Sequence, residues 1–523
     1  MNIWRRMPFH VVFLASYPLL ALFAANVDQV RLEVLWRPLA ITLAAVFILW
    51  LLLSWLLRDK MKAGIIVSLL LMLFFSYGQV YEWGQRASFL QGELGRHRYL
   101  IPLWTLILIG GVVGILRLRR PRELNHWLNL VSLILVLIPL AQVGSYALRA
   151  NLAEGARGAA LVDPATGEPI SLQAPEDSPD VYYIIFDAYA RSDVLKESWG
   201  IDNSDFLAEL EALGFEVTEC SQSNYAQTEL AFASTLNMAY LDDLGENFLP
   251  NRDDRTELRP LIKESLVRQL LQEQGYRTIA FNTGYPFSEL RDADIYTTLE
   301  LAGFATGMTG FEGLLLRSSA GLILFDSAQL LPRFLLPEAE PGIRQHRARA
   351  LLVLDTLEQM DQFDSPKFVF AHIISPHLPF VFGPGGEARV EPEFRGEDEE
   401  RQEWYRQGYQ DQIAYLNDRI IPMLESILES SDTPPVIILQ GDHGPEEGSS
   451  RDRMSILNAY YLPEGGVDAI YPEITPVNSF RLVFNQAFGA DLPLLPDRSL
   501  FSTYNRPYDF NIIENVCHEE QAE

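Results

Sequence analysis

The stretch PPVIILQGDHGP (434–445) decides how this chain folds. Four apolar residues run without alternation and, after Gln440, stop at glycine, aspartate, histidine and glycine. Such a run, bounded by turn residues, is a strand buried on both faces. Two other stretches have the same grammar. VYYIIFDAY (181–189) places Asp187 after its apolar run, and KFVFAHIIS (367–375) leads into SPHLPF (375–380), which carries His377. Helical patterns lie between them: SDFLAELEAL (204–213), expected to be capped by Ser204, LRPLIKESLVRQLLQEQ (258–274), IRQHRARALLVLDTLEQM (343–360) and residues 402–428. Further strands are expected at FEVTEC (215–220), YRTIAFNTG (276–284) and SILNAYYLP (455–463). The alternation predicts an α/β domain with a central, largely parallel sheet, which binds its ligands beyond the carboxyl ends of the strands.

Upstream the chain changes character. Five apolar segments, 8–26, 38–57, 63–81, 99–116 and 127–147, approach the roughly 20 residues that a bilayer-spanning helix needs. Short polar loops separate them. The loops that follow an even number of spans, with the N-terminus, carry nine Lys/Arg, including the cluster RLRRPR (117–122), and the opposite loops carry six. The richer side is read as cytoplasmic, which places everything after the fifth span outside the cell membrane. LFAAN (22–26) also allows the first segment to be a cleaved signal peptide, with the same location for the large domain. The expected division is therefore 1–149 as a five-helix transmembrane anchor, 150–178 as an Ala/Gly/Pro-rich linker with little structure, and 179–523 as the catalytic domain.

Charge divides at the same place. Residues 1–150 hold 15 Lys/Arg against 6 Asp/Glu, and the remainder holds 26 against 63. So acidic a domain excludes nonspecific nucleic-acid binding, which needs a basic footprint. Its two cysteines, Cys220 and Cys517, form no zinc-finger spacing. Outside the cell they could be joined in a disulfide holding the C-terminal tail, or remain as two thiols. Two insertions stand out. Residues 383–401 read as an exposed mobile loop. Residues 311–336 are unusually apolar, either buried in the domain or resting on lipid.

A carboxylate or imidazole at one strand end is ordinary turn chemistry. Asp187, His377, Asp442 and His443 at three strand ends of one domain are what a metal site in this architecture requires. With FDAY (186–189), NYAQTELAFASTLNM (224–238), SPHLPF and QGDHGP, the layout resembles the alkaline phosphatase/sulfatase superfamily. Within it, the likeness is to the membrane-bound branch of lipoteichoic acid synthases and phosphoethanolamine transferases. The resemblance implies Thr228, at the start of a helix, as nucleophile. It implies one divalent metal ion (Mn, Zn or Mg, with Ca also possible) held by Asp187, Thr228, Asp442 and His443. His377 would be the acid and base, and Asn224, Asn282 and Arg453 would touch substrate. His372, on the same strand as His377, reads as a core or supporting histidine. The expected function is a phospho-group transferase acting on lipids or surface polymers through a covalent threonine intermediate. Its partners would be a membrane lipid or lipid-linked donor and a glycan, polymer or lipid acceptor. The alternative is a sulfatase-like hydrolase of phosphate or sulfate esters. Threonine cannot be oxidised to the formylglycine that sulfatases use, and Asn282 stands where lipoteichoic acid synthases carry a histidine.

Overall fold

The computed structural model describes all residues except 1, 28–29, 31, 87–95, 156–160, 174, 176–177, 300–308, 324–340, 390–397, 464 and 518–523. The chain forms two compact units, one of residues 1–149 with 307–342 and one of residues 150–306 with 343–523.

In the first unit four helices are long and apolar enough to cross a membrane: Glu33–Leu57, Lys60–Gly84, His97–Arg117 and Pro121–Leu148. The first expected span is a helix of 16 residues, His10–Ala25, shorter than the others. It is nonetheless built into the bundle. The His10 imidazole meets Ser68 Oγ at 2.6 Å and Asn125 Oδ1 at 3.2 Å, and its backbone N–H donates to Asn129 Oδ1 at 2.7 Å. Buried polar groups are retained where they are paired in this way.

The apolar insertion also belongs to this unit. Thr309 and Glu312 close a capping box that starts the helix Gly310–Arg317. Phe311 and Leu315 pack with Leu19, Phe23 and Leu35 of the anchor helices, and Arg37 Nε donates to Glu312 Oε1 at 2.6 Å. The described part of this insertion is therefore not buried in the α/β domain: Phe311 and Leu315 are covered by anchor helices, and Leu314 remains exposed. Residues 324–336 lie outside the described residues, as does the middle of the 383–401 loop.

The second unit is built on a seven-stranded sheet: β1 (Val181–Phe186), β2 (Glu216–Val217), β3 (Arg277–Phe281), β4 (Ile295–Thr297), β5 (Lys367–Ile373), β6 (Val436–Gln440) and β7 (Asn458–Tyr461). Their order is β2-β7-β6-β1-β5-β3-β4, with β7 antiparallel to both its neighbours and the other pairs parallel. Period-two geometry explains why β1 is apolar throughout. Val181, Tyr183 and Ile185 enter the core on one face, and Tyr182, Ile184 and Phe186 enter the core on the other. Helices including Thr228–Thr235, Leu266–Glu273 and Pro476–Ala487 cover the first face. Ser192–Trp199, Pro341–Leu357 and Asp398–Ser430 are among those covering the second. Each face buries several large side chains, each contributing roughly 1.5–3 kcal/mol of transfer free energy. A C-terminal hairpin, β8 (Leu500–Thr503) with β9 (Arg506–Ile512), had no sequence expectation.

Three local expectations are corrected. Residues 258–274 form two helices, Leu258–Lys263 and Leu266–Glu273, and Ser204 is the first helical residue, behind Asn203. The 150–178 segment is not a loose linker throughout. Asp163 forms a fully buried ion pair with Arg481, Leu172 enters the core, and Gln173 N–H donates to the Phe488 carbonyl at 2.8 Å. Cys220 and Cys517 are joined in a disulfide spanning 297 residues, which fixes the tail beside the segment leading to Thr228.

Candidate active site

β1 lies between β5 and β6, so their carboxyl ends are adjacent and deliver Asp187, the His377 loop and the Asp442–His443 pair to one place. The glycines of GDHG are there because nothing larger fits. A Cβ at Gly441 would stand 2.3 Å from the Tyr189 carbonyl oxygen, and one at Gly444 would stand 1.9 Å from that of Asp452. Ala188, next to Asp187, adopts φ +69° and donates its N–H to Asp442 Oδ1 at 3.2 Å. Backbone strain beside a functional carboxylate is a common feature of such sites.

Asp187, Asp442 and His443 are 4%, 2% and 1% exposed, and each offers a ligand atom within 4.8 Å of the others. His443 Nε2 lies 3.5 Å from Asp187 Oδ1, 3.4 Å from Asp442 Oδ2 and 3.0 Å from Thr228 Oγ1. The two carboxylate oxygens named here are buried and have no hydrogen-bond partner among the described residues. A buried anionic oxygen without a donor is strongly disfavoured, and two of them facing one imidazole nitrogen form a cation site. Two carboxylates, a hydroxyl and a neutral imidazole suit a divalent ion.

The protonation pattern agrees with this use. Burial and the Arg453 guanidinium push the His443 imidazole down, keeping it neutral. Nδ1–H donates to the Gly444 carbonyl at 2.8 Å, which leaves the Nε2 lone pair facing the cluster. Burial opposes the charge on Asp187, but His377, His372 and His443 together hold that carboxyl well below the usual range. His372 supports Asp187 from behind, Nε2 to Oδ2 at 3.2 Å, in keeping with its reading as a supporting residue.

Thr228 opens the helix Thr228–Thr235, where the first peptide N–H groups favour negative charge. Gln227 precedes it in an extended conformation without a side-chain cap, so the Thr228 hydroxyl is turned to His443 and not used as the N-cap. His377 Nδ1 donates to the Leu378 carbonyl at 2.7 Å and Nε2 to Glu446 Oε1 at 3.0 Å. Burial opposes its charge, yet Asp187 and Glu446 raise it to about 9.

The three expected substrate contacts fare differently. Arg453 reaches the cluster, with an Nη2 donor 3.1 Å from His443 Nε2, and its other donors hold the Ala226 and Gly444 carbonyls. Asn224 is 1% exposed and its amide is occupied by Tyr240, Thr475, Arg498 and Val477, so it braces the loop before Thr228. The Asn282 amide is held between Glu289 and Arg349. Glu446 was missed in the sequence, although it sits three residues after His443 in the same loop.

A family model described as Sulfatase matches residues 179–480. The chain therefore belongs to the sulfatase family. Among solved structures it is similar to the C-terminal periplasmic domain of EcEptC from Escherichia coli in complex with Zn, at 10% identity and a TM-score of 0.42, covering 66% of this chain and 94% of that one. It is also similar to the integral membrane protein lipooligosaccharide phosphoethanolamine transferase A (EptA) from Neisseria meningitidis, at 12% identity and a TM-score of 0.39, covering 91% and 95%. A third is BT1596, a 2-O GAG sulfatase, at 12% identity and a TM-score of 0.39, covering 60% and 71%. No curated protein matches the sequence. The chain is a membrane protein with a sulfatase-like catalytic domain and a site fit for a divalent metal ion.

Proposed function

We propose that this protein is a membrane-anchored, metal-dependent phospho-group transferase that works outside the cell membrane on lipids or surface polymers, with Thr228 as its nucleophile. The observation that carries the reading is the position of Thr228 Oγ1. It stands 3.0 Å from His443 Nε2, at a helix start, beside two buried carboxylate oxygens that lack partners.

Asp187, Asp442 and His443 would hold the ion together with Thr228. When bound, a divalent cation supplies the positive charge that makes a threonine hydroxyl acidic enough to react near neutral pH. Thr228, its hydroxyl proton released to solvent, then attacks phosphorus through the Oγ alkoxide, the bond from phosphorus to the leaving alcohol breaks, and His377 gives its proton to the leaving oxygen. Phosphothreonine remains. An acceptor hydroxyl attacks next, His377 takes its proton, and the Thr228 oxygen leaves phosphorus. Glu446 keeps His377 charged for the first step, and His372 keeps Asp187 in place. With water as acceptor the same residues perform hydrolysis of phosphate or sulfate esters, which is the second reading. The disulfide, formed in the second unit, favours an oxidising compartment for the catalytic domain.

The test is intact mass spectrometry of the full chain in detergent with Mn²⁺ and a phospholipid panel. Wild-type protein should gain a phospho-adduct, and Thr228→Ala should not. An adduct that persists in Thr228→Ala, or ester turnover unaffected by that substitution, refutes the nucleophile.

A further inference from the structure

Arg349 has no role in the chemistry above, and its surroundings are unusual. It lies on the helix Pro341–Leu357 of the second unit and is half-buried. Among the described residues its only side-chain hydrogen bond runs from Nε to Asn282 Oδ1 at 3.1 Å. No carboxylate lies within ion-pair distance among the described residues. Guanidinium groups removed from water are ordinarily matched by an anion, and this one is matched by a neutral amide. Burial accordingly lowers its basicity, and the Tyr285 and Tyr296 phenols restore only part of it.

The neighbourhood is built around that side chain. Glu289 Oε1 accepts from Asn282 Nδ2 at 2.6 Å and from the Gly284 N–H at 2.8 Å, so the Asn282 amide is oriented with its oxygen toward Arg349. Gly284 adopts φ +90°, and a Cβ there would meet Arg349 Nη1 at 2.4 Å. The guanidinium therefore lies flat along a loop that only glycine leaves open. The next residue, Tyr285, presents a phenol without a hydrogen-bond partner among the described residues. Burial and then Asp187 push that phenol up to about 12, so it remains an O–H donor. Arg349 and His372 line one narrow cavity, and His372 is the residue that holds Asp187.

Charge around the site also points to an anion. A divalent ion would balance Asp187 and Asp442, Glu446 balances His377, and Arg291 faces Glu289 at 3.7 Å. Arg453 and Arg349 are left over. The Arg453 fork is occupied by two carbonyls and His443, whereas four of the five Arg349 N–H donors are uncommitted among the described residues.

We propose that Arg349, set by Asn282 along Gly284 and flanked by the Tyr285 phenol, binds anionic phosphate oxygens of the substrate. This rests on the reading that the site handles phosphate esters. It assigns Asn282 to positioning the guanidinium and not to direct recognition.

The test titrates inorganic phosphate into the full chain in detergent with Mg²⁺ at low ionic strength, by calorimetry. Wild type should show one saturable site. Arg349→Gln should weaken it about tenfold or more, as loss of a charge-assisted bidentate contact does, with Arg349→Lys intermediate because it keeps the charge without the fork. In wild-type protein, phosphate should also protect Arg349 from phenylglyoxal, read by peptide mass; this arm needs no variant to fold. Absence of a saturable site, unchanged affinity in Arg349→Gln, or modification of Arg349 unaffected by phosphate overturns the assignment. Thr228→Ala separates the two readings. It should lose ester turnover and keep a phosphate site that Arg349→Gln weakens further. Retained turnover would defeat the nucleophile and leave Arg349 standing.

Discussion

Replacing Glu446 by glutamine removes one charge while keeping the shape of the side chain, and its effect falls on His377. The Nε2 to Oε1 distance is 3.0 Å, with the two side chains 20% and 46% exposed. Burial works against the imidazolium, and Asp187, then Glu446, raise it to about 9 from an ordinary value of 6.5. A cation on Asp187 spends that carboxylate's charge, which leaves Glu446 as the main group that keeps His377 protonated. A hydrogen bond to a charged group is worth about 1.5–3 kcal/mol when shielded. Glu446 is nearly half exposed, so solvent screening reduces this to about 1–1.5 kcal/mol, or roughly one pKa unit. The sign follows from the raised value. The protonated form is favoured in the folded protein, so the pair's stabilisation is complete between about pH 4.5 and 6.5, is lost as pH rises through about 9, and is lost on the acid side as Glu446 protonates at about 2. For catalysis, the acid-requiring step should fall as pH rises through the His377 value, which lies below about 9 once a cation sits on Asp187. Glu446→Gln should move that alkaline limb down by about one unit, with little change at pH 6. The assay is the pH dependence of kcat on a chromogenic phosphodiester, beside an NMR titration of the His377 ring. An alkaline limb that stays in place while the NMR titration also stays in place refutes Glu446 as the residue that sets His377.

Asp163→Ala leaves the Arg481 guanidinium buried without its partner and should cost about 3–5 kcal/mol, seen as a lower urea midpoint for the second unit; a loss under 1 kcal/mol contradicts the buried pair. Chelator treatment should lower the melting temperature by relieving ligand linkage, about 2.7 kcal/mol when the ion had been present at a hundred times its Kd, and Asp442→Asn should show a much smaller response to chelator. Gly78→Val would put a Cβ 2.4 Å from the Ser318 carbonyl carbon, so limited proteolysis within 309–323 should accelerate, and unchanged cleavage would show that the insertion is held elsewhere.

The sequence determined a good deal of this protein by itself. Runs such as VYYIIF and VIILQ could only be strands covered on both faces, because period two sends alternate side chains into two separate cores. Spans of about twenty apolar residues could only be satisfied as helices in lipid. Asp187, His377, Asp442 and His443 were legible because strand ends are where this architecture concentrates polar groups. What the sequence withheld were relations between distant segments. Asn224 and Asn282 read alike as polar residues near motifs, yet one is consumed in bracing a loop and the other holds Arg349. Arg349 itself sits in an amphipathic helix, where arginine is ordinarily solvated, and only the approach of the Gly284 loop removes it from water. The segment around Asp163 has the composition of a linker, and it is anchored by an arginine 318 residues away and by Leu172 in the core. Local propensity and periodicity are written along the chain. Burial, and with it the meaning of a charge, is decided only when segments far apart in sequence close around it.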